Sequence, residues 1–332
     1  MLCEFAITPD AFDAGAITAN PRLEVIVIEL LKGISEKGKL ANLHKGEWAR
    51  EVYRRIEGLA PGVRDEIITW LTYLQDRRRL VRYPRWSGGN PRDDRDWLTL
   101  TFESHGRSPF DGIFVADTTF ARSGRHDSAL VDVSHALGSA PRMACQSSRQ
   151  VLRRPAEYRK LLTPLLRHAQ EVTLIDPYLT MQEPRFLNTI GLCVELLGQR
   201  GYDPLVGRIT IHAGDPERFV GYYKRAYSGQ ACLDACLEDW KRQIRTWFAR
   251  GYRHEVHVLL WRDLMTPERL HDRYIFTDQC GIAVQGGLDS REDWSNSTSW
   301  SMLAEPVRKS IIEIYDPTYK RLELLRRLDV SP

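Results

Sequence analysis

Apolar residues recur every three to four positions through much of the first eighty residues. This period is that of one face of an α-helix, and it predicts three helices within residues 22–80. Two short strands are predicted after them, at Trp97–Phe102, where apolar and polar side chains alternate, and at Gly112–Ala116, a short apolar run. Residues 1–150 are therefore predicted to form a mainly helical N-terminal domain with a small β-element.

From residue 151 onwards, predicted strands and helices alternate. The pattern predicts strands at Val172–Ile175, Arg208–His212 and Glu255–Trp261, and a hairpin of Tyr274–Phe276 and Ile282–Val284. Helices are predicted at Pro155–Ala169, Arg185–Gln199, Glu217–Arg250, Val307–Ile314 and Tyr319–Leu328. Such alternation is typical of a mainly parallel sheet covered by helices on both faces. We predict that residues 151–332 form an α/β domain of this kind.

Length and composition agree with two globular domains. The chain has 332 residues, of which 42% are hydrophobic and 27% are charged, and domains commonly have about 100–200 residues. No apolar run approaches the roughly 18 residues of a membrane span. The N-terminus lacks the basic and apolar regions of a secretion signal. We therefore expect a cytoplasmic protein.

The charge pattern changes this picture at one place. The formal net charge is only +3, but five arginines stand close together, with Tyr83 and Trp86 among them: Arg77, Arg78, Arg79, Arg82 and Arg85. Arginines interleaved with aromatic residues suit a nucleic-acid surface. Acidic residues 93, 94 and 96 partly neutralise the cluster. A solvated, salt-bridged loop is therefore the alternative interpretation.

The clearest candidate chemistry lies at the hairpin. His271 and Arg273 stand two residues apart in an extended segment, where alternate side chains share a face. An arginine can hold two phosphate oxygens and stabilise developing charge beside a nucleophilic imidazole. Asp278 can fix the following turn or orient a histidine, and the turn Gly286-Gly287-Leu288-Asp289 lets backbone approach a phosphate closely. The alternative is a surface strand with ordinary polar residues.

Two further residues end predicted strands of the same sheet, where sites in such folds gather. His212 either faces the site or simply ends its strand, and the sequence does not decide between these. Asp176 precedes a proline, so it either lines the site or caps the next helix. The cysteine pair Cys232 and Cys236 has no second pair at zinc-ligand spacing, so we interpret it as buried and predict no metal site.

The segment His271-x-Arg273, four residues, Asp278 resembles the phospholipase D superfamily, whose motif is His-x-Lys, four residues, Asp. The family's motif is followed by a small glycine-serine turn that ends in asparagine. Here Gly286 begins the turn one position late, and Asp289 occupies the asparagine position. The resemblance covers about residues 155–332. It implies a sheet flanked by helices and metal-independent phosphodiester chemistry without a cofactor.

By this resemblance, His271 would attack phosphorus and a second histidine, with His212 as the candidate, would protonate the leaving group. Arg273 would bind phosphate in place of lysine, with Gly286, Gly287, Asp289, Asn296 and Asp176 around it. Only one such motif is clear, and single-motif members form homodimers that bring two copies together. The resemblance further implies a nuclease acting on nucleic acid, with DNA favoured, in a bacterial antiviral defence system.

A catalytically inactive protein is the alternative function. Arginine in place of lysine and aspartate in place of asparagine are changes that a decayed site would carry. Such a domain would bind phosphate, or serve as an adaptor subunit of a larger complex through its N-terminal domain. A membrane substrate is not favoured, because the sequence shows no amphipathic helix with a basic polar face.

Overall fold

A computed structural model describes residues 2–116, 119, 127–138, 146–198, 207–264 and 270–332. The chain divides into two compact units, Leu2–Gln146 and Ser147–Pro332. Each unit has a sheet of its own with helices packed on it, so the fold class is α/β. In the described part of the chain, no helix is both long and apolar enough to span a membrane.

The first unit contains a five-stranded sheet in which every pairing is parallel. Its strands are β1 Cys3–Ile7, β2 Gly38–Asn42, β3 Leu80–Arg82, β4 Gly112–Val115 and β5 Leu130–Asp132. They lie in the order β3-β2-β1-β4-β5. The chain direction across the sheet therefore reverses between β1 and β4, which is the arrangement of doubly wound α/β domains.

The helices of this unit are α1 Ala14–Ala19, α2 Pro21–Lys37, α3 Glu47–Ile56, α4 Pro61–Asp76 and α5 Asp94–Arg107. The three helices predicted within residues 22–80 are confirmed as α2, α3 and α4. Proline occupies the first turn of α2 and of α4, where its missing N–H removes no helical hydrogen bond.

The prediction of a mainly helical domain with a small β-element was wrong. Strands β1 and β2 are buried at almost every position, so they lack the alternation that marks a half-buried strand. Their polar residues also make these strands hard to recognise from the sequence. Lys39 is 0% exposed, and its Nζ lies 3.8 Å from Oε1 of Glu4 on the neighbouring strand. Only the assembled sheet supplies this buried partner.

The strand predicted at Trp97–Phe102 was also wrong, because this segment lies inside α5. Asp93 caps the helix by accepting a hydrogen bond from the Asp96 amide at 2.9 Å. The hydroxyl of Thr101 donates to the carbonyl of Trp97, one turn earlier, at 2.8 Å. Residues 97 and 101 therefore lie one above the other on a helical face. The segment is helical in spite of its alternating apolar and polar residues.

The second unit contains an eight-stranded sheet. Its strands are β6 Ser148–Leu152, β7 Glu171–Ile175, β8 Arg208–Gly214, β9 Glu255–Arg262, β10 Tyr274–Thr277, β11 Gly281–Val284, β12 Ser297–Met302 and β13 Glu323–Val330. They lie in the order β13-β9-β8-β7-β10-β11-β12-β6. The predicted strands at β7, β8 and β9 and the predicted hairpin of β10 and β11 are confirmed.

This second sheet is mixed, so the prediction of a mostly parallel sheet was wrong. Strands β7, β8 and β9 pair in parallel, whereas the other neighbours pair antiparallel. A tight connection such as that between β10 and β11 permits only an antiparallel pair, because a parallel pair needs a long crossover.

Its helices are α6 Pro155–Leu166, α7 Pro184–Gly198, α8 Pro216–Phe219, α9 Gly221–Ala226, α10 Gly229–Ala249 and α11 Glu305–Ile314. The predicted helix Glu217–Arg250 is thus broken into shorter helices. The predicted helix Tyr319–Leu328 was wrong, because most of it forms the edge strand β13, paired with β9. Cys232 and Cys236 are buried in α10, as expected.

Candidate functional site

Asp176 directly follows β7 and lies almost fully buried, at 1% exposure. Its Oδ1 accepts a hydrogen bond from the Tyr178 amide at 3.0 Å, and its Oδ2 accepts one from the Leu288 amide at 2.9 Å. Burial raises the pKa of the Asp176 carboxyl, and these two amides together with Arg273 oppose that effect. Asp176 thus ties the end of β7 to the loop between β11 and β12.

That loop contains Asp289, which is 4% exposed and is held by two guanidinium groups. Arg153 Nη2 bonds Oδ1 of Asp289, and Arg185 Nη1 lies 3.2 Å from Oδ2. Arg153 follows β6 and stacks over the Trp294 ring at 4.7 Å, whereas Arg185 stands at the start of α7. The negative charge of Asp289 is therefore balanced by arginines from two different elements.

Gly287 brings the two carboxylates together. Its φ is +99°, in the left-handed region that favours glycine. A Cβ placed there would lie 2.9 Å from Oδ1 of Asp289, 3.5 Å from Oδ2 of Asp176 and 3.6 Å from Nη2 of Arg153. Both carboxylates and a guanidinium thus surround one small space, and a side chain at residue 287 would fill it.

Arg273 completes this group of charges. Its Nε lies 3.9 Å from Oδ1 of Asp176, and its guanidinium carbon is 5.2 Å from the centre of the Tyr178 ring. Within the described residues, Nε has no hydrogen-bond partner, although it is buried. We name this group the arginine–aspartate cluster: Arg153, Arg185, Arg273, Asp176 and Asp289.

His271 lies in the turn before β10 and is exposed. Its ring makes no hydrogen bond or ion pair with the described residues, and it stands at the same end of β10 as Arg273. His271 thus lies two residues before Arg273 in the chain, at an exposed position. Its catalytic role stays a prediction.

His212 is not brought to Arg273. It lies across the sheet from Ile175, and Ile175 lies across from Tyr274, so these three side chains project from one face. Arg273 and Asp176 are one residue removed from Tyr274 and Ile175, and alternation places them on the opposite face. The predicted partner histidine is thus separated from Arg273 by the sheet.

The surroundings of His212 keep it uncharged. Its Nδ1 accepts a hydrogen bond from Nε1 of Trp261 at 2.9 Å, and its ring lies parallel to that of Trp261. Burial lowers the pKa of His212 to about 3. An imidazole in this state cannot act as an acid that protonates a leaving group near neutral pH.

Asp278 and Asn296 occupy other places. Asp278 lies in the β10–β11 turn, at the far end of β10 from His271, and its Oδ1 accepts the Gln170 amide at 3.0 Å. This contact fixes the start of β7, whereas the sequence predicted that Asp278 would fix its own turn or orient a histidine. Asn296 is exposed, and its backbone carbonyl accepts the Arg153 amide at 2.9 Å. Gly286 donates its amide to Oγ1 of Thr298 at 2.8 Å.

The five arginines predicted to contact nucleic acid do not form one surface. Arg79 is 7% exposed, and its Nη1 donates to the Ser35 carbonyl at 2.8 Å, at the end of α2. Arg77 and Arg78 lie between α4 and β3, at the amino end of that strand. Arg82, the last residue of β3, and Arg85, which follows the strand, are both exposed at its carboxyl end. Only this second pair can share a ligand at the carboxyl edge of the sheet.

Sequence reasoning missed Arg153, Arg185 and Tyr158. The Tyr158 hydroxyl donates to the carbonyl of Asp289 at 3.2 Å, and burial raises its pKa to about 12, so it remains a donor. Each of these residues lies more than one hundred positions from Asp289 along the chain. Their one local signal is that Tyr158 and Arg185 fall at the start of predicted helices and Arg153 two residues before one, which is too general to identify them.

The three guanidiniums of the arginine–aspartate cluster face three carboxylates, because Arg185 Nε also donates to Glu183 at 2.6 Å. The charges are therefore balanced, and Arg273, whose contact with Asp176 is long at 3.9 Å, is the guanidinium engaged most weakly. Among the described residues, no group of three or more His, Cys, Asp or Glu side chains is arranged to hold a metal ion. Among the buried side-chain atoms of the cluster, within the described residues, Nε of Arg273 is the one without a hydrogen-bond partner. An anion of phosphate type can therefore interact with the cluster through Arg273, and the exposed His271 lies two residues before Arg273 in the chain.

No family model matches the chain, and no curated protein matches it. Among solved structures, phosphatidylserine synthase of Haemophilus influenzae Rd KW20 aligns with a TM-score of 0.34 and 16% identity, over 54% of this chain and 40% of that one. The archaeal chromatin protein TrmBL2 aligns with a TM-score of 0.27 and 10% identity, over 82% of this chain and 88% of that one. At such scores neither likeness identifies a shared fold.

Proposed function

We propose that the Ser147–Pro332 unit binds a phosphodiester group of nucleic acid, with DNA favoured, at Arg273. The observation that carries this proposal is the unused bonding capacity of Arg273. Its Nε is buried without a hydrogen-bond partner among the described residues, and its contact with Asp176 is long, at 3.9 Å. Because the Arg273 side chain as a whole is 25% exposed, a phosphate oxygen can reach its guanidinium and replace a weak ion pair by a charge-assisted hydrogen bond.

The reaction proposed at this site is metal-independent cleavage through His271. A ring nitrogen of His271 forms a bond to phosphorus while the bond from phosphorus to the leaving oxygen breaks. A protonated second histidine gives its proton to that oxygen, and water then hydrolyses the phosphohistidine. Because His212 is buried on the other face, the second histidine would be His271 of another copy, in a homodimer.

Phosphate binding without turnover is the second candidate. The specific observation that favours it is the separation of His212 from Arg273 by the sheet, which leaves one copy of the unit without the histidine predicted to protonate the leaving group. The unit would then serve as a phosphate-binding subunit or adaptor. The two candidates share the ligand and differ only in cleavage and in dimer formation.

Binding and cleavage are tested on separate variants of the full chain. Arg273→Ala is expected to weaken binding of labelled DNA about 10- to 100-fold, as for the loss of a charged hydrogen bond. Arg208→Ala, an exposed arginine paired with Glu171 on the same sheet, is the matched control and should bind as the wild type does. Equal affinity of both variants and wild type would refute the Arg273 site.

Cleavage is measured on single- and double-stranded DNA and RNA in excess EDTA. Metal-independent cleavage that disappears in His271→Ala, and that persists in the exposed control His135→Ala, supports the nuclease. Light scattering on the same samples reports whether the protein is a dimer. If DNA binds at Arg273 but is cleaved in no sample, the result supports phosphate binding without turnover.

A further inference from the structure

An arginine-lined groove of about 400 Å³ lies in the first unit, far along the chain from Arg273. Five guanidiniums and two carboxylates line it, the arginines being Arg50, Arg54, Arg55, Arg85 and Arg92. The groove is formed where β2 and β3 end and α3 begins. It therefore occupies the carboxyl edge of a parallel sheet, which is where open α/β sheets bind their ligands.

Internal ion pairs account for only part of this positive charge. Glu47 pairs with Arg50 at 2.6 Å, and Glu51 pairs with both Arg54 and Arg55. Arg85 and Arg92 are exposed and make no ion pair with the described residues. These two side chains are therefore the ones available to an anion in the groove.

A buried histidine holds the Arg85–Asn90 loop, which carries the first of these arginines and precedes the second. His44 is 1% exposed; its Nδ1 accepts the Trp86 amide at 3.1 Å, so the proton lies on Nε2, which donates to Oδ1 of Asn90 at 3.2 Å. The same oxygen accepts Nη2 of Arg85 at 3.4 Å. His44 thus connects the end of β2 to both ends of the Arg85–Asn90 loop.

The backbone at His44 is strained to make this connection. His44, Lys45 and Gly46 have φ values of 51°, 58° and 103°. The left-handed conformation is unfavourable for a residue with a side chain, so two such residues in succession persist only where surrounding contacts require them. The strained turn directs His44 inward to the loop and begins α3 at the wall of the groove.

We propose that this arginine groove binds the sugar–phosphate backbone of a single-stranded nucleic acid. Arg85 and Arg92 contact phosphates, and His44 is a positioning residue. A groove of about 400 Å³ has room for one strand. Trp97, which lines it, is only 5% exposed, so recognition depends on phosphates and not on base stacking, and the sequence of the strand has little effect.

The test measures binding of the full-length protein to a labelled oligonucleotide of about 20 nucleotides in EDTA across a salt series. The double variant Arg85→Ala/Arg92→Ala removes both free guanidiniums. Two lost contacts with a single strand should lower the slope of log affinity against log salt by about 1.4, with affinity at low salt reduced at least about tenfold. The control Arg22→Ala/Arg64→Ala removes the same charge from an exposed position on α2 and from a half-exposed one on α4, where Arg64 pairs with Asp65 at 3.3 Å.

We expect the control pair to keep the wild-type slope. An equal loss in both double variants would mean that only overall charge matters, and it would overturn the groove. So would an equal loss of affinity for duplex DNA and for the single strand. The single variant Arg92→Glu, at an exposed position outside any helix or strand, is measured in the same salt series. Its melting temperature shows whether the fold is retained.

The groove and the Arg273 site are distinguished in the same assay. If nucleic acid is held only at Arg273, then Arg273→Ala abolishes binding while Arg85→Ala/Arg92→Ala retains it, and the groove proposal fails. If Arg273→Ala has no effect while the double variant loses binding, the groove stands and the proposed function of the second unit fails.

Discussion

At the scale of single residues, the two buried carboxylates of the arginine–aspartate cluster are stabilised in different ways. Asp289 is held by the guanidiniums of Arg153 and Arg185, whereas Asp176 is held chiefly by two backbone amides. A carboxylate bound by amides leaves the nearby Arg273 only weakly engaged. This difference is why Arg273, and not Arg153 or Arg185, is the residue proposed to receive a ligand.

Replacing Gly287 by alanine should destabilise the second unit by about 1–3 kcal/mol. The new Cβ would adopt an unfavourable φ of +99° and lie 2.9 Å from Oδ1 of Asp289. Chemical denaturation of the full chain measures the change. Gly191→Ala is the control, because its Cβ meets no atom within 4 Å inside α7, and alanine there should stabilise the helix by about 0.5–1 kcal/mol. Equal effects at both positions would contradict the geometry of the cluster.

His212 should make the stability of the second unit dependent on pH. Burial lowers its pKa from 6.5 to about 3. Below pH 6.5 the histidine is therefore protonated in the unfolded chain but stays neutral in the folded chain. The contribution of the neutral His212 to the free energy of unfolding is therefore fully present above about pH 7. It falls as the pH decreases, by about 2 kcal/mol at pH 5. Denaturation curves at several pH values should show this loss in the wild type.

His212→Asn removes the titrating group and should flatten this part of the pH profile. The exposed His271→Asn is the matched control, and it should keep the wild-type profile. If His212→Asn retained the full pH dependence, the loss would belong to other groups of the unit and the buried, neutral state of His212 would be refuted.

At the scale of elements, α5 shows how a local pattern can mislead. The run Trp97–Phe102 alternates between apolar and polar residues, as a strand does. Asp93 nevertheless begins a helix four positions earlier, and the buried residues of α5 recur at helical spacing. Capping and helical packing together outweigh the strand preference of a short segment.

Asp93→Ala should therefore destabilise the first unit by about 1 kcal/mol through the loss of the helix cap. Asp93→Asn keeps an oxygen that can accept the Asp96 amide, so it should retain most of the stability. Thermal denaturation followed by circular dichroism compares the two variants. A loss of equal size in both would assign the effect to charge and not to capping.

Strand β10 separates two of the predicted site residues. The predicted site residues His271 and Asp278 stand at opposite ends of this four-residue strand, Tyr274–Thr277. A strand rises about 3.3 Å per residue, so these two side chains cannot orient each other directly. Asp278 instead fixes the position of β7, and thereby that of Asp176 at the other end of β7.

At the scale of the whole molecule, the chain consists of two α/β units, each with its own sheet. Every contact described for the arginine–aspartate cluster comes from the unit Ser147–Pro332. We therefore predict that residues 147–332, expressed alone, unfold cooperatively and bind DNA with a loss on Arg273→Ala equal to that in the full chain. A fragment that folds but no longer responds to Arg273→Ala would show that the site needs the first unit.

The sequence by itself determined the helices α2, α3 and α4, the three parallel strands β7, β8 and β9, and the β10–β11 hairpin. In each of these the decisive information is local: a helical period, a short apolar run or a tight turn. It also named Arg273, Gly287 and Asp289 as candidate site residues through the resemblance of residues 271–289 to a family motif, and Asp176 through its position at the end of a strand. Their function stays a prediction.

Only the tertiary structure decided the rest. Strand β2 depends on the buried contact of Lys39 with Glu4, and β13 depends on β9 as its partner. Arg153 and Arg185 reach Asp289 from positions separated from it by 136 and 104 residues. The face on which His212 lies follows from strand register. Contacts between such distant positions leave no period in the sequence, because their geometry exists only once the strands have paired.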